Sequence, residues 1–314
     1  MRLLLILTLS SLFLAACGGN DPAPTPDAPA AIDLGLNKPT KSLKANMDPG
    51  GNTWVELGAA NLSCLGTPSG DVATTVGVTL NLKVLDFQYS TAVAGAAVVA
   101  FPDANVATPF GAPQTSDDKG YLTLTIPVGT KRFGYKMTGG FMPTFLLNQT
   151  VDADVAVQPD NSCDASLPRP CRSTIQSISN TTATLLPAVI NVTRTPGTGV
   201  IAGALRDCDR HEMSNFIATV SSVRGSAMAL DGADAFYFNS GVGLPARHTQ
   251  QDFASSDGLF LILQLSMTQV AYVQMWGYKT DEDLAADHLT LVAELPVPVL
   301  ADTVITGSYE PLRQ

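Results

Sequence analysis

From residue 76 onward, apolar side chains recur at every second position. Val76, Val78, Leu80, Leu82 and Val84 alternate with Gly77, Thr79, Asn81 and Lys83, a period of two that predicts a half-buried strand. Residues 93–102 repeat the signal and stop at Pro102, since proline cannot donate to a strand ladder. Residues 115–120 are polar, end in glycine and predict a turn. The alternation resumes at Tyr121-Leu122-Thr123-Leu124-Thr125-Ile126 and again over residues 131–137. In the last third, residues 271–278 and 289–295 follow the same rule, while 281–287 reads as either one helical turn or an acidic loop.

The spacing changes over residues 173–190. Ile175, Ile178, Leu185, Leu186, Val189 and Ile190 suit one amphipathic helix, with Ser173 as its N-cap and Pro187 as a kink or end. Packed between two β-rich modules, this helix would limit their relative motion.

The run Val84-Leu85-Asp86, Val93-Ala94-Gly95-Ala96-Ala97-Val98, residues 115–124 and Pro127-Val128-Gly129 resembles a carboxypeptidase regulatory-like domain. That resemblance implies a small transthyretin- or immunoglobulin-like β-sandwich over about sixty residues. A weak internal repeat extends it: residues 255–263 echo 116–124, and 204–207 with 214–218 echo the first module's opening strands. The expected fold is all-β, with two such sandwich modules joined by a short helical segment and preceded by a disordered signal and tether. The first sandwich spans 51–162, the hinge 163–197 and the second sandwich 198–314, with an insertion at about 221–250 that contains Phe236-Tyr237-Phe238.

The N-terminus sets the compartment. Arg2 precedes a short apolar run that ends at Leu14-Ala15-Ala16-Cys17, the plan of a signal peptide too short to span a bilayer comfortably. Leu14-Ala15-Ala16-Cys17 resembles the lipobox of bacterial lipoproteins. The resemblance implies cleavage before Cys17, a diacylglycerol thioether on its sulfur, usually an N-acyl chain, and anchoring without spanning. Gly18 stands where an inner-membrane retention signal of that family would have Asp, which implies the outer membrane, with the protein facing either the periplasm or the cell surface. The next stretch, 18–30, holds four prolines and no aromatic residue and reads as the start of a tether over 17–50. Residues 196–208 and 295–300 resemble a group of myxobacterial outer-membrane lipoproteins, which adds to fold and address only.

Composition narrows the function classes. The 314 residues are 45% hydrophobic and 15% charged with a net charge of -10, which argues against a disordered chain and a nucleic-acid binder. Removing Arg2 with the signal peptide makes the charge -11 and leaves no basic patch to grip anionic lipid. The 26 glycines and 21 prolines argue against a helical bundle.

With Cys17 assigned to lipid, Cys64, Cys163, Cys171 and Cys208 remain. An even number in an exported chain predicts two disulfides, with three connectivities open. The short spacing of Cys163 and Cys171 favours their pairing and leaves Cys64 with Cys208; the alternative zinc site lacks a CxxC spacing. The chain has no G-x-S-x-G and no HExxH, and His211, His248 and His288 read as solvent-facing. Asp117-Asp118 and Asp281-Glu282-Asp283 lack the spacing of an EF-hand loop and read as turn residues or solvated charge. Tyr272, Gln274, Trp276 and Tyr278 share one parity of one strand: they are packing if that face is core, and a glycan- or peptide-stacking face if it is open.

The expectation is a non-catalytic envelope lipoprotein with no metal and no cofactor, acting as a structural or adhesive scaffold or as a subunit of an envelope assembly. Its partners would be the membrane, through the lipid, and an envelope protein or glycan. A glycan- or peptide-binding role is the rival, and an accessory to a separate hydrolase a third reading.

Overall fold

The computed structural model describes residues 37–151, 172–226 and 234–314. The signal peptide, Cys17, Cys163 and Cys171 lie outside them.

In chain order the strands are β1 (Lys44–Met47), β2 (Val55–Ala59), β3 (Val78–Asp86), β4 (Ala97–Pro102), β5 (Gln114–Thr115), β6 (Tyr121–Ile126), β7 (Arg132–Thr138), β8 (Thr144–Thr150) and β9 (Arg172–Ser177). Helix α1 (Asn180–Val189) follows, then β10 (Gly199–Leu205), β11 (Glu212–Ser214), β12 (Ile217–Ser221), β13 (Asp234–Asn239), β14 (Leu244–Pro245), β15 (Leu259–Leu265) and β16 (Thr268–Gly277). Helix α2 (Asp281–Ala285), β17 (Thr290–Val299) and β18 (Val304–Tyr309) complete the described chain. The all-β expectation holds.

A nine-stranded sheet, ordered β14-β13-β15-β10-β18-β8-β7-β4-β5, runs through the molecule. At its centre β18 pairs in parallel with both β10 and β8, with Ile305 opposite Ile201 on one side and Phe145 on the other. Two sandwich cores use this sheet from opposite faces. At the β4–β7 end, Val98, Phe133, Tyr135 and Met137 meet Val78, Leu80, Leu82, Val84, Leu122 and Ile175 of the three-stranded sheet β6-β3-β9. Toward the other end, Phe145, Ile201, Tyr237, Phe260 and Ile305 point to the opposite face and meet Ile217, Val273, Met275 and Val297 of the sheet β12-β16-β17. Each large apolar side chain buried this way contributes about 1.5–3 kcal/mol.

The alternation in β3 is strict, buried and half-buried residues exchanging at every step. The predicted turn at 115–120 closes β5 onto β6: Asp117 Oδ1 accepts the N–H groups of Lys119 and Tyr121 at 2.9 and 2.8 Å. Gly120 ends it at φ +82°, where a β-carbon would lie 2.6 Å from the Val84 carbonyl oxygen.

Four expectations change. The helix predicted over 173–190 is a strand followed by a shorter helix. β9 pairs in parallel with β3, Ile175 opposite Val84, and α1 starts after Ser179, whose Oγ accepts the Thr182 N–H at 3.1 Å. Pairing with the β3 edge and burial of Ile175 outweigh a helical period that its first residues only partly carry. Pro187 sits inside the last turn of α1 without breaking it.

Of the tether predicted over 17–50, residues 37–50 are described and pack on the domain. Leu43 is fully buried, hydrogen-bonds through its N–H to the Tyr278 carbonyl at 2.8 Å, and lies over Gly277, where a β-carbon would come within 2.7 Å of it. The predicted insertion at 221–250 contributes β13 and β14 to the large sheet, and its Phe236, Tyr237 and Phe238 are core residues.

The boundaries between the cores also run differently. β1 and β2 join β11, beside the second core, and β9 from the hinge joins the first. All described residues fall in one compact unit.

At the centre of the large sheet, a β-carbon on Gly203 would lie 2.5 Å from the Tyr309 ring and 2.6 Å from the Gly307 carbonyl oxygen. Replacing Gly203 with Ala should cost about 1–3 kcal/mol by overpacking, measured by denaturant unfolding, whereas Gly70→Ala, which meets no atom within 4 Å, should change stability by less than about 0.5 kcal/mol.

Candidate functional site

Cys64 and Cys208 form a disulfide with their Cα atoms 5.8 Å apart, across 144 positions of sequence. The pairing reached by elimination is the one present. A carboxylate clamp prepares it. The buried Asp207 accepts the N–H groups of Asp209 and His211 on Oδ1, both at 2.9 Å, and that of Asn61 on Oδ2 at 3.1 Å. Cys208 itself donates its N–H to the Asn61 carbonyl at 2.9 Å. Asp207, Asp209 and His211 present donor atoms within 4.8 Å of one another, but both oxygens of Asp207 are committed to backbone N–H groups. The trio therefore reads as the clamp of a loop.

The aromatic face on β16 is closed. Gln274, Trp276 and Tyr278 are 0%, 3% and 2% exposed, and Tyr272 is half-buried. Tyr272, Gln274 and Trp276 stand opposite Ser221, Thr219 and Ile217 of β12, and Tyr278 lies just past the end of β16; β12 and β17 flank β16 on both sides and supply buried polar partners. Trp276 Nε1 donates to Thr219 Oγ1 at 3.1 Å and Gln274 Nε2 to Glu294 Oε2 at 2.9 Å. The Tyr278 hydroxyl donates to Asp287, and burial together with that carboxylate pushes its pKa up to about 12. Lys38, at 2.8 Å, holds the Asp287 carboxyl below its usual range. This face cannot stack on a sugar or peptide in this conformation.

The other predicted residues serve local structure. His248 Nε2 lies 2.6 Å from Asp234 Oδ1, and its ring stacks on Phe236 with centroids 4.6 Å apart. Asp281, Glu282 and Asp283 form the first turn of α2 behind the N-cap Thr280, where negative charge complements the helix dipole.

Two connected hollows were not foreseen. The sheet β6-β3-β9 ends at β9, so the large sheet's face over β15, β10, β18 and β8 is covered there by α1 with Phe87, Ile178 and the edge of β9. A groove of about 500 Å³ results. Its floor is small (Ala202, Ala204, Thr306) and its walls are apolar (Leu146, Leu259, Leu261, Leu263 and, from α1, Leu186). Beside it lies a cleft of about 480 Å³ whose lining includes Arg132, Arg206, Arg210 and Arg313 with Asp71, Asp207 and Glu310. Gln149, Arg206 and Ser308 line both.

Arg132 anchors the cleft. Its Nε and Nη2 grip Asp71 at 2.5 and 2.9 Å, and Nη1 reaches Glu310 at 3.1 Å and also Asn148. Burial works against the Asp71 charge, but the guanidinium outweighs it and holds the carboxyl below its usual range. No short motif marks these hollows, because their residues are brought together only by strand pairing.

No protein-family model matches the chain, and no curated protein does. Among solved structures, the shaft pilin SpaA from Lactobacillus rhamnosus GG is 11% identical, over 76% of this chain and 98% of its own, at a TM-score of 0.20. The Bacillus anthracis TIE protein is 9% identical over 76% and 34% at 0.21, and 3-chlorocatechol 1,2-dioxygenase from Rhodococcus opacus 1CP is 17% identical over 44% and 72% at 0.20. Scores this low carry no argument about function.

Two predictions follow from the geometry. Replacing Cys64 and Cys208 together with Ala should cost about 3–5 kcal/mol of unfolding free energy, because a very long loop is released in the unfolded chain. Denaturant titration of the variant against the oxidised parent checks it.

Asp257 is buried with Oδ2 unpartnered, and burial, with Glu212 adding, raises its pKa to about 6 against the N–H of Leu259 and the hydroxyl of Ser255. A raised folded pKa means the native state holds the extra proton, so stability falls as pH rises from about 4 to about 6. Replacing Asp257 with Asn should remove that slope and recover about 2–3 kcal/mol at pH 7, read from unfolding curves at several pH values.

Proposed function

We propose that this chain is an exported, lipid-anchored, non-catalytic envelope protein, held by Cys17 in the outer membrane and serving as a structural or adhesive scaffold or as a subunit of an envelope assembly. The observation that carries the reading is the Cys64–Cys208 bridge, because such a bond persists in oxidising compartments outside the cytoplasm. That agrees with the export signal and the Leu14-Ala15-Ala16-Cys17 motif. Among the described residues no helix is long and apolar enough to cross a membrane, so a lipid on Cys17 would supply the attachment. The two cores backed on one sheet, and a bridge that ties the residue 64 loop to β10, suit a protein that bears load or presents a surface. A glycan on the β16 face is disfavoured by the burial of Trp276.

Growth of cells expressing the protein with an alkyne-bearing palmitate analogue tests the anchor. The parent and Cys64→Ala should carry the label and Cys17→Ala should carry none; label persisting on Cys17→Ala would remove the lipid-anchor assignment.

A further inference from the structure

We infer that the groove beneath α1 and the arginine-lined cleft form one binding site for an amphipathic anion, an aliphatic chain ending in a carboxylate or phosphate. The site follows from the register of two strands. Ala202 stands opposite Thr306 and Ala204 opposite Ser308 in the parallel pair β10·β18, so residues of one parity share a face. Along β10 that face reads Val200, Ala202, Ala204, Arg206, and along β18 it reads Val304, Thr306, Ser308, Glu310. Both strands thus run from an apolar end to a charged one in the same direction over roughly 20 Å, at about 3.3 Å per residue, with Thr306 and Ser308 of β18 as the polar step between.

The apolar end is built to take a chain. Small side chains at Ala202 and Ala204 keep the floor low, while Leu146 on one side and Leu259 and Leu261 on the other stand above it. Its volume of about 500 Å³ lies within the roughly 300–1,000 Å³ of ordinary small-molecule sites.

The other end is built to take charge. Four of the ten arginines of an acidic chain line the cleft. Arg206 lines both hollows and is steadied through Nε by Glu212 at 3.0 Å. Asp71 and Glu310 are bound to Arg132, and Asp207 is bound to backbone N–H groups. Arg132 is thus taken up by the acids it binds, and Arg206, which meets Glu212 through Nε, is the guanidinium at the junction of the two hollows best placed to meet carboxylate or phosphate oxygens.

Native mass spectrometry of the full chain released from non-ionic detergent tests the site, with dodecanoate, dodecyl phosphate, dodecanol and inorganic phosphate as probes. The expected result is a single adduct with either anionic amphiphile, at least tenfold weaker binding of dodecanol, and no comparable binding of inorganic phosphate. Arg206→Gln should weaken both anionic amphiphiles about tenfold and leave dodecanol unchanged. Ala202→Phe, which fills the floor, should abolish all amphiphile binding, and Ala204→Leu repeats that test if Ala202→Phe fails to fold. The assignment is overturned if neither amphiphile forms an adduct, if dodecanol binds as tightly as dodecanoate, if inorganic phosphate binds as tightly as dodecyl phosphate, or if correctly folded floor variants bind like the parent.

Discussion

The pairing of β18 between β10 and β8 holds the rest of the structure together. Without this strand the nine-stranded sheet falls into two four-stranded pieces, and each piece exposes an edge. β18 is parallel to both neighbours, and strands in parallel pairing are ordinarily covered on both faces. One face is covered by the β12-β16-β17 sheet. The other is covered by α1 together with Phe87, Ile178 and the β9 edge, and this incomplete cover is what creates the groove. The hollow is a consequence of joining two sandwiches through one strand while the second covering sheet stops at β9.

Strands whose two faces differ were legible in the sequence, because alternation reports directly on burial. β3 and β6 are of this kind. Where both faces are buried, alternation fades: every residue of β12 is buried, and so are Ala235, Phe236, Tyr237 and Phe238 of β13. That is why residues 234–239 read as an insertion. β9 failed for another reason. Its helical period came from residues that belong to α1, and the partner that makes it a strand lies about ninety positions away in β3. The first ordered strand escaped notice because residues 44–47 offer too short a run to show any period, and their order depends on Leu43 fitting over Gly277.

The site was legible only in part. The Cys64–Cys208 pair is reached by elimination: counting gives two disulfides with three connectivities, and the short spacing of Cys163 and Cys171 sets those two aside. Tyr272, Gln274 and Trp276 do share a register against β12, yet parity alone says nothing about which face is covered. The polar partners Thr219, Glu294 and Asp287 that allow this face to be buried come from three other segments. The groove had no signal at all. Leu146, Ala202, Leu261 and Thr306 are ordinary strand residues, and the grading from Val200 to Arg206 gains meaning only when β18 shows the same grading beside it.

The disulfide and the cleft are parts of one construction. Cys64, Asp207 and Cys208 line the same cleft as Arg206 and Arg210, and the Asp207 carboxylate organises the turn that carries Cys208 and Arg210. Arg210 is held there at a positive φ of 69°, a conformation a non-glycine residue keeps only where its surroundings fix it. The bridge and the carboxylate clamp are two such constraints, and both act on the turn that brings Arg210 to the cleft. Reducing the bond would loosen the cleft rim together with the tie between the residue 64 loop and the end of β10. Residues that sequence logic would assign to stability alone therefore also set the geometry in which the arginines are presented.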